Sequence, residues 1–372
     1  MTRLQDARAA RGWSQARLIH ELEVRARNAG VTVASRPSLK PLVSRWENGH
    51  SKPDATYRRL LREIYGLSDV DLGLTAERAE GQQPVAVELG ARLATSAVVD
   101  AQLIALLQSH IDNIRLMDRR LGAPVLLEQL RGHITTTSDL LAHSVRQAHR
   151  RPLAAVLSDA ASLAGWQALD VGAPQEAWTH FETAKAAARE AHSPALLAHA
   201  MGEQSFALLD LDKADLAFDL LDQAHAVARY GVPALLEAWL CAAKGEACAA
   251  AGDGEGSSRA FGTAHRLLPE PTTDPELPFI ALDRTHLMRW QGCALARLGD
   301  SQAPACLSAA LVKMPLDFVR AQAGLYVNLA IALRRQGAES DAREHAHRGH
   351  RLALQAGSVR QQQRLRNLCL VA

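Results

Sequence analysis

Aromatic side chains are scarce in this chain: Phe, Tyr and Trp make up 4% of its 372 residues. After residue 85 there is also almost no β-branched alternation, so the strand period is missing, and the abundant Ala and Leu imply an all-helical protein. No uncharged apolar run approaches the roughly 18–20 residues that span a bilayer, and no basic-then-apolar leader opens the sequence. Membrane insertion is therefore not expected. The five cysteines, Cys241, Cys248, Cys293, Cys306 and Cys369, form no Cys-x-x-Cys pair and sit in apolar helical context, as reduced core thiols do. A reducing, cytoplasmic location is the expectation.

Catalytic signatures are missing as well. The run Gly252-Asp253-Gly254-Glu255-Gly256-Ser257-Ser258 is glycine-rich but lacks the lysine that follows, and the strand that precedes, a phosphate-cradling loop. His345, His347 and His350 gather beside Glu344, yet on one helix positions 345 and 347 point about 200° apart, so only His347 and His350 share a face. There is no nucleophile elbow and no zinc spacing. An enzyme is not expected, nor a metal or other cofactor.

What the sequence does carry is concentrated near its start. In Arg11-Gly12-Trp13-Ser14-Gln15, Ser14 is placed to cap a helix by accepting its free N-terminal amides, with Gln15 in the first turn. A second segment has Leu39, Leu42, Val43 and Trp46 at helical spacing, which leaves Lys40, Ser44 and Arg45 facing outward. Gly49 stops that helix. Ser51-Lys52-Pro53-Asp54 then turns into a last helix whose Tyr57, Leu60, Leu61, Ile64 and Tyr65 close a small core.

Residues 1 to about 70 thereby resemble the Cro/repressor (XRE) family of helix-turn-helix DNA-binding domains, the resemblance resting on Ser14-Gln15 and on Val43-Ser44-Arg45-Trp46-Glu47-Asn48-Gly49. The resemblance implies that the helix ending in Trp46-Glu47-Asn48-Gly49 enters the major groove, that Glu47 supports helix packing and that Gln15 grips the DNA backbone. Two departures stand out. Val24 to Arg36 lengthens the link between the two helices, and Pro41 lies where the recognition helix is expected to begin, near Lys40. The long link brings Arg25, Arg27 and Arg36 as further phosphate contacts. The expected DNA-binding residues are Gln15, Arg17, Arg36, Lys40, Pro41, Ser44, Arg45, Asn48 and Lys52; for any single arginine, a solvated surface charge is the alternative.

The charge distribution agrees. Residues 1–66 hold 13 Lys and Arg against 6 Asp and Glu, a net of +7, whereas the rest of the chain holds 29 basic and 34 acidic residues, a net of −5. The positive field lies where phosphate neutralisation needs it.

The expected organisation is a DNA-binding domain over 1–74, a linker over 75–86, connecting helices over 87–150 and a repeat domain over 151–372. Val87 to Leu121 reads as one long helix ended by Gly122-Ala123-Pro124; Leu107, Ile111, Ile114 and Leu121 form a near-heptad seam that Asp118 interrupts. That helix either forms a dimer or packs on the next domain. From about Leu153 an internal repeat of 40 residues appears: Gly165, Ser205, Gly245; Ala177, Ala217, Ser257; Phe181, Leu221, Phe261; Ala184, Ala224, Ala264. Gly172, Asp212 and Gly252 fall in the turns. A fourth unit, Gly292, Gly299, Ala303, Leu307 and Ala310, follows after 47 residues, and a fifth runs through Ala330, Gly337, Ala342, Ala346 and Gly349.

Small residues at fixed places let two antiparallel helices approach closely, with the large residue expected to fill the gap to the next pair. The pattern resembles tetratricopeptide repeats, which implies a right-handed helical-hairpin solenoid whose first helices line a peptide or protein groove. The residues this places in the lining are Trp166, Asp170, Phe206, Asp210, Glu246, Arg289, Arg297, Asn328, Arg334 and Arg335. A bound peptide would set its amine near Asp170 and Asp210 and its carboxylate near Arg289 and Arg334; the alternative is that these charges are merely solvated. Trp166, Trp178, Trp239 and Trp290 read mainly as core.

A helix-turn-helix domain joined to such repeats is similar to the bacterial quorum-sensing regulators, in which a repeat domain dimerises and binds a signalling peptide. The function this implies is a homodimeric transcriptional regulator on an inverted-repeat operator in double-stranded DNA, responsive to a peptide or small molecule. The alternatives are a DNA-tethered scaffold whose repeats hold a partner protein and, more remotely, an antitoxin with a small toxin partner.

Overall fold

The computed structural model describes residues 2–74 and 85–368; the expected linker 75–86 and Cys369 fall almost wholly outside them. The protein is all-helical, with 18 helices and no strand among the described residues. Among these residues no single helix is long and apolar enough to cross a membrane. The chain divides into two compact units, Met1–Ala91 and Arg92–Ala372.

The first unit holds α1 (Arg3–Ala10), α2 (Gln15–Asn28), α3 (Arg36–Glu47) and α4 (Ala55–Tyr65). Ser14 caps α2 by accepting from the Arg17 amide at 3.2 Å, and Asp54 caps α4 by accepting from Tyr57 at 3.0 Å. Leu18, Leu22, Leu39, Val43, Leu60 and Leu61 meet in one core with Trp46 and Tyr57, whose rings lie 5.0 Å apart. The start of α3 differs from expectation. It begins at Arg36, with Pro37 in the first turn, so Pro41 lies inside the helix rather than at its start. Because α2 runs on to Asn28, the link is only residues 29–35, and the Ala34 amide anchors it by donating to the Tyr57 hydroxyl at 2.8 Å.

The single helix expected over 87–121 is broken at residues 98–100, within the second unit. α5 (Val85–Ala97) and α6 (Ala101–Leu121) meet at 87°, because Val99 turns into the core and the Asp100 carboxylate caps α6 by accepting from the Leu103 amide at 2.8 Å. The middle of the near-heptad seam faces inward: Ile111 and Ile114 are buried against Leu126, Leu127 and Leu130 of α7 (Ala123–His143) and Val156 of α8 (Gln147–Asp170), whereas Leu107 is half-buried and Leu121 exposed.

Consecutive helix pairs follow: α8 with α9 (Pro174–Glu190), α10 (Pro194–Asp210) with α11 (Ala214–Ala228), α12 (Ala234–Ala250) with α13 (Gly254–Leu267), α14 (Arg284–Leu298) with α15 (Ala303–Lys313), and α16 (Val319–Arg335) with α17 (Glu339–Gln355). The first helices of successive pairs, α8, α10, α12, α14 and α16, pack on one another in order. The last helix, α18 (Val359–Arg366), touches both α16 and α8, and α16 touches α6, so the row of inner helices closes on itself. The longer step before α14 is occupied by residues 268–283, whose Leu277, Ile280 and Leu282 are buried in the same core.

The small and large repeat positions meet, though within a pair rather than between pairs. A Cβ on Gly165 would lie 2.6 Å from the Phe181 ring, one on Gly245 2.6 Å from Phe261, and one on Gly292 2.8 Å from Leu307. In these three pairs the large side chain of the second helix therefore packs on the bare backbone of its own partner helix.

The turn positions share a left-handed backbone, with φ of 78° at Gly172, 79° at Gly252, 78° at Gly299 and 78° at Gly337. Asp212 takes the same conformation at φ 55° with a Cβ in the way. Asp212→Gly is accordingly expected to stabilise the unit by about 0.5–1 kcal/mol, measured by urea denaturation; an unchanged or lower midpoint would mean the aspartate is not strained there.

Candidate nucleic-acid interface and ligand cavity

On α3 the buried residues Leu39, Val43, Trp46 and Glu47 fill one side, and at about 100° per residue this leaves Lys40, Pro41, Ser44, Arg45 and Asn48 over the remaining arc, while Arg36 lies on the line of the buried side at the helix start. Arg36, Lys40, Pro41, Arg45 and Asn48 are exposed, and Ser44 is half-exposed. The Asn48 amide donates back to the Ser44 carbonyl at 2.8 Å and so closes the helix end. Gln15 does not stand free at the start of α2: its amide donates to the Glu47 carboxylate at 2.9 Å. Glu47, 1% exposed, also takes a two-pronged contact from Arg8, whose Nε and Nη2 donate at 2.6 and 3.0 Å. Those bonds hold the Arg8 guanidinium above its usual pKa.

Other basic groups of this unit are already committed. Arg11 donates to the carbonyls of Ile64 and Tyr65, Arg17 pairs with Glu21 at 2.7 Å, and Arg62 faces Asp69 at 3.6 Å. Arg25, Arg27, Arg36, Lys40 and Arg45 have no carboxylate partner among the described residues, and all five lie on α2's last turns or on α3. Lys52 is exposed in the turn before α4.

In the second unit the inner helices enclose a cavity of about 450 Å³. Trp166, Asp170, Phe206, Asp210, Glu246, Arg289, Arg297, Asn328 and Arg335 all line it. Arg334 does not. Counting from Asn328, seven residues return Arg335 to within about 20° of the same face, whereas six leave Arg334 about 120° away. Arg334 instead donates to the Leu368 carbonyl.

The acidic end expected to receive an amine is already filled. Arg320 of α16 reaches Asp118 of α6 at 2.5 Å and Asp170 of α8 at 2.9 Å, and Arg360 of α18 meets Asp210 at 2.6 Å. The Ser358 hydroxyl adds a 2.6 Å bond to Asp170. Burial alone would depress the Arg320 guanidinium, but the charges of Asp118 and Asp170 and the hydrogen bonds to them raise it. Asn328 is equally occupied: its carbonyl accepts from Arg364 at 2.7 Å, while its amide donates to the Gly324 carbonyl at 2.8 Å and to the Cys293 sulfur at 2.9 Å. Burial pushes that thiol up to about 12.

The aromatic wall was the least expected part. Trp166 meets Phe206 edge-on at 5.9 Å, Phe206 meets Trp290 at 5.5 Å, Trp290 meets Trp239 at 5.6 Å, and His199 lies between Trp239 at 5.1 Å and Phe279 at 4.5 Å. Together with Phe318, six of the chain's 16 Phe, Tyr and Trp line this one cavity. The signal for Arg320 was present in the helix period, since 320, 324 and 328 share a face; Arg360 and Arg364 of α18 are likewise four apart.

The glycine-rich run at 252–258 is a turn at Gly252 followed by the start of α13, which the Asp253 carboxylate caps by accepting from the Gly256 amide at 2.8 Å. His345 stacks on Tyr326, ring centroids 5.7 Å apart. Compared with known proteins, the chain matches no family model and no curated sequence.

Proposed function

We propose that this chain is a sequence-specific DNA-binding regulator of transcription, of the Cro/repressor helix-turn-helix kind. The observation that carries the reading is the set of five cations on α2 and α3 without carboxylate partners among the described residues, in a unit whose other basic side chains are largely occupied within the fold. In this reading α3 enters the major groove, Arg45 and Lys40 reach base edges, and Arg25, Arg27 and Arg36 contact phosphates. Gln15 then acts mainly through Glu47, holding α2 against α3. A single such helix covers few base pairs, so the regulator acts in the cytoplasm as a homodimer on an inverted repeat. The second unit, read as a tetratricopeptide-like right-handed solenoid, receives a signal in its cavity, whose volume falls within the range of small-ligand sites.

Sequencing the genomic fragments retained by the purified full-length protein tests this, with enrichment of a shared inverted repeat as the expected result. On that site Arg45→Ala should weaken binding by roughly 1–3 kcal/mol and relax the preference at one base position. Equal loss on unrelated DNA would make Arg45 a phosphate contact, and no enriched sequence would overturn the reading.

A further inference from the structure

Eight arginines line the cavity against six carboxylates. Once Arg115 is paired with Asp159, Arg320 with Asp118 and Asp170, and Arg360 with Asp210, five remain without a carboxylate in contact among the described residues; Arg119 lies over the Phe318 ring and Arg335 donates to the Ala296 and Arg297 carbonyls, which leaves Arg289, Arg297 and Arg364, near one another. Only Glu246, itself buried, lies among them. The Arg289 Nε is buried with no acceptor, an unusual state for a guanidinium nitrogen. Arg289 also lies beside the Trp290 ring, 5.9 Å from its centroid, so the unfilled cationic corner borders the aromatic wall directly.

We propose that this corner and wall bind a small organic anion, its carboxylate or phosphate seated among Arg289, Arg297 and Arg364 and its flat apolar body laid against Trp290, Trp239 and Phe206. Guanidinium groups recognise such oxyanions with strong charge-assisted hydrogen bonds, and tryptophan faces supply apolar area with little loss of side-chain freedom. A long extended peptide is disfavoured by the closure itself. Arg320 and Arg360 bar the acidic end where a peptide amine would lie, and six extended residues would need about 20 Å of open groove. The inference rests on reading the second unit as the signal-receiving part, but not on DNA binding.

Calorimetric titration of the full-length protein, without DNA, tests it using paired probes: 1-naphthoate with 1-naphthamide, 1-naphthyl phosphate with 1-naphthol, N-acetyltryptophan with its amide, and Gly-Gly-Trp with its C-terminal amide. At least one anion is expected to bind saturably and at least about tenfold more tightly than its neutral partner, a loss matching one charge-assisted contact. Binding confined to Gly-Gly-Trp would assign the carboxylate to a peptide end rather than to a free small molecule and overturn the small-molecule form of the proposal. Arg289→Met should abolish the preference. Arg297→Gln, at an exposed side chain that makes no hydrogen bond among the described residues, should weaken it in a protein that melts like the parent. Equal affinities within every pair, or a preference unchanged in both variants, would overturn the proposal. Loss of operator binding in Arg45→Ala with anion binding intact keeps the two readings separable.

Discussion

Arg320→Ala should cost the second unit about 3–5 kcal/mol, because it leaves two carboxylates, Asp118 at 6% and Asp170 at 2% exposure, without their cation. Gln167 donates to Asp118 and Ser358 to Asp170, but neutral donors offset only part of the loss. Urea denaturation followed by helical ellipticity measures the effect. A triple variant distinguishes charge from packing: with Asp118→Asn and Asp170→Asn added to Arg320→Met, stability should recover to within about 2 kcal/mol of the parent, since a neutral substitute of similar volume avoids the desolvation cost. A loss below about 1 kcal/mol in Arg320→Ala would show that the closure of α16 onto α6 and α8 contributes little to stability.

The second large effect falls on the first unit. Glu47→Ala removes the acceptor of two Arg8 bonds and one Gln15 bond and leaves a guanidinium that is 15% exposed without its charge partner. A loss of about 3–5 kcal/mol is again expected, and for a unit this small it approaches the whole folding free energy. The expected result is a protein whose second unit melts normally while the amide protection of α2 and α3 in hydrogen exchange is lost. Glu47→Gln keeps the shape and the Gln15 contact and should cost less than half as much. Full protection of α2 and α3 in Glu47→Ala would remove the buried glutamate from its assigned place in holding them.

Local signals were legible wherever a side chain acts on its own neighbourhood. Ser14 caps the helix that its position implies, and the recurrence placed the inner faces of α8, α10, α12 and α14 correctly enough to gather seven cavity residues, with Asn328 and Arg335 of α16 making nine. Pro41 misled because proline marks a helix start more often than its interior, whereas Pro37 already holds the first turn. Asp100 was equally local and carried a cap, yet the apolar spacing on either side of it hid the break. What the sequence withheld was pairing at long range. Nothing near Asp170 or Asp210 announces that Arg320 and Arg360 will neutralise them, so a face of acids read as an amine site is in fact a finished set of ion pairs. The tryptophans were ambiguous for a related reason: core and cavity wall use the same helical spacing, and only closure of the inner row leaves space in front of them.

That closure also sets an order of events. Contacts between neighbouring helix pairs join residues close in sequence and are available as soon as each pair leaves the ribosome. The pairs that shut the row span 202 residues between Asp118 and Arg320 and 150 between Asp210 and Arg360, so their loop entropy is offset only when the intervening helices are already stacked. A nascent chain ending before α16 is therefore an open arc of correctly folded hairpins with Asp118, Asp170 and Asp210 exposed to water, and the cavity comes into being only once α16 and α18 have been made.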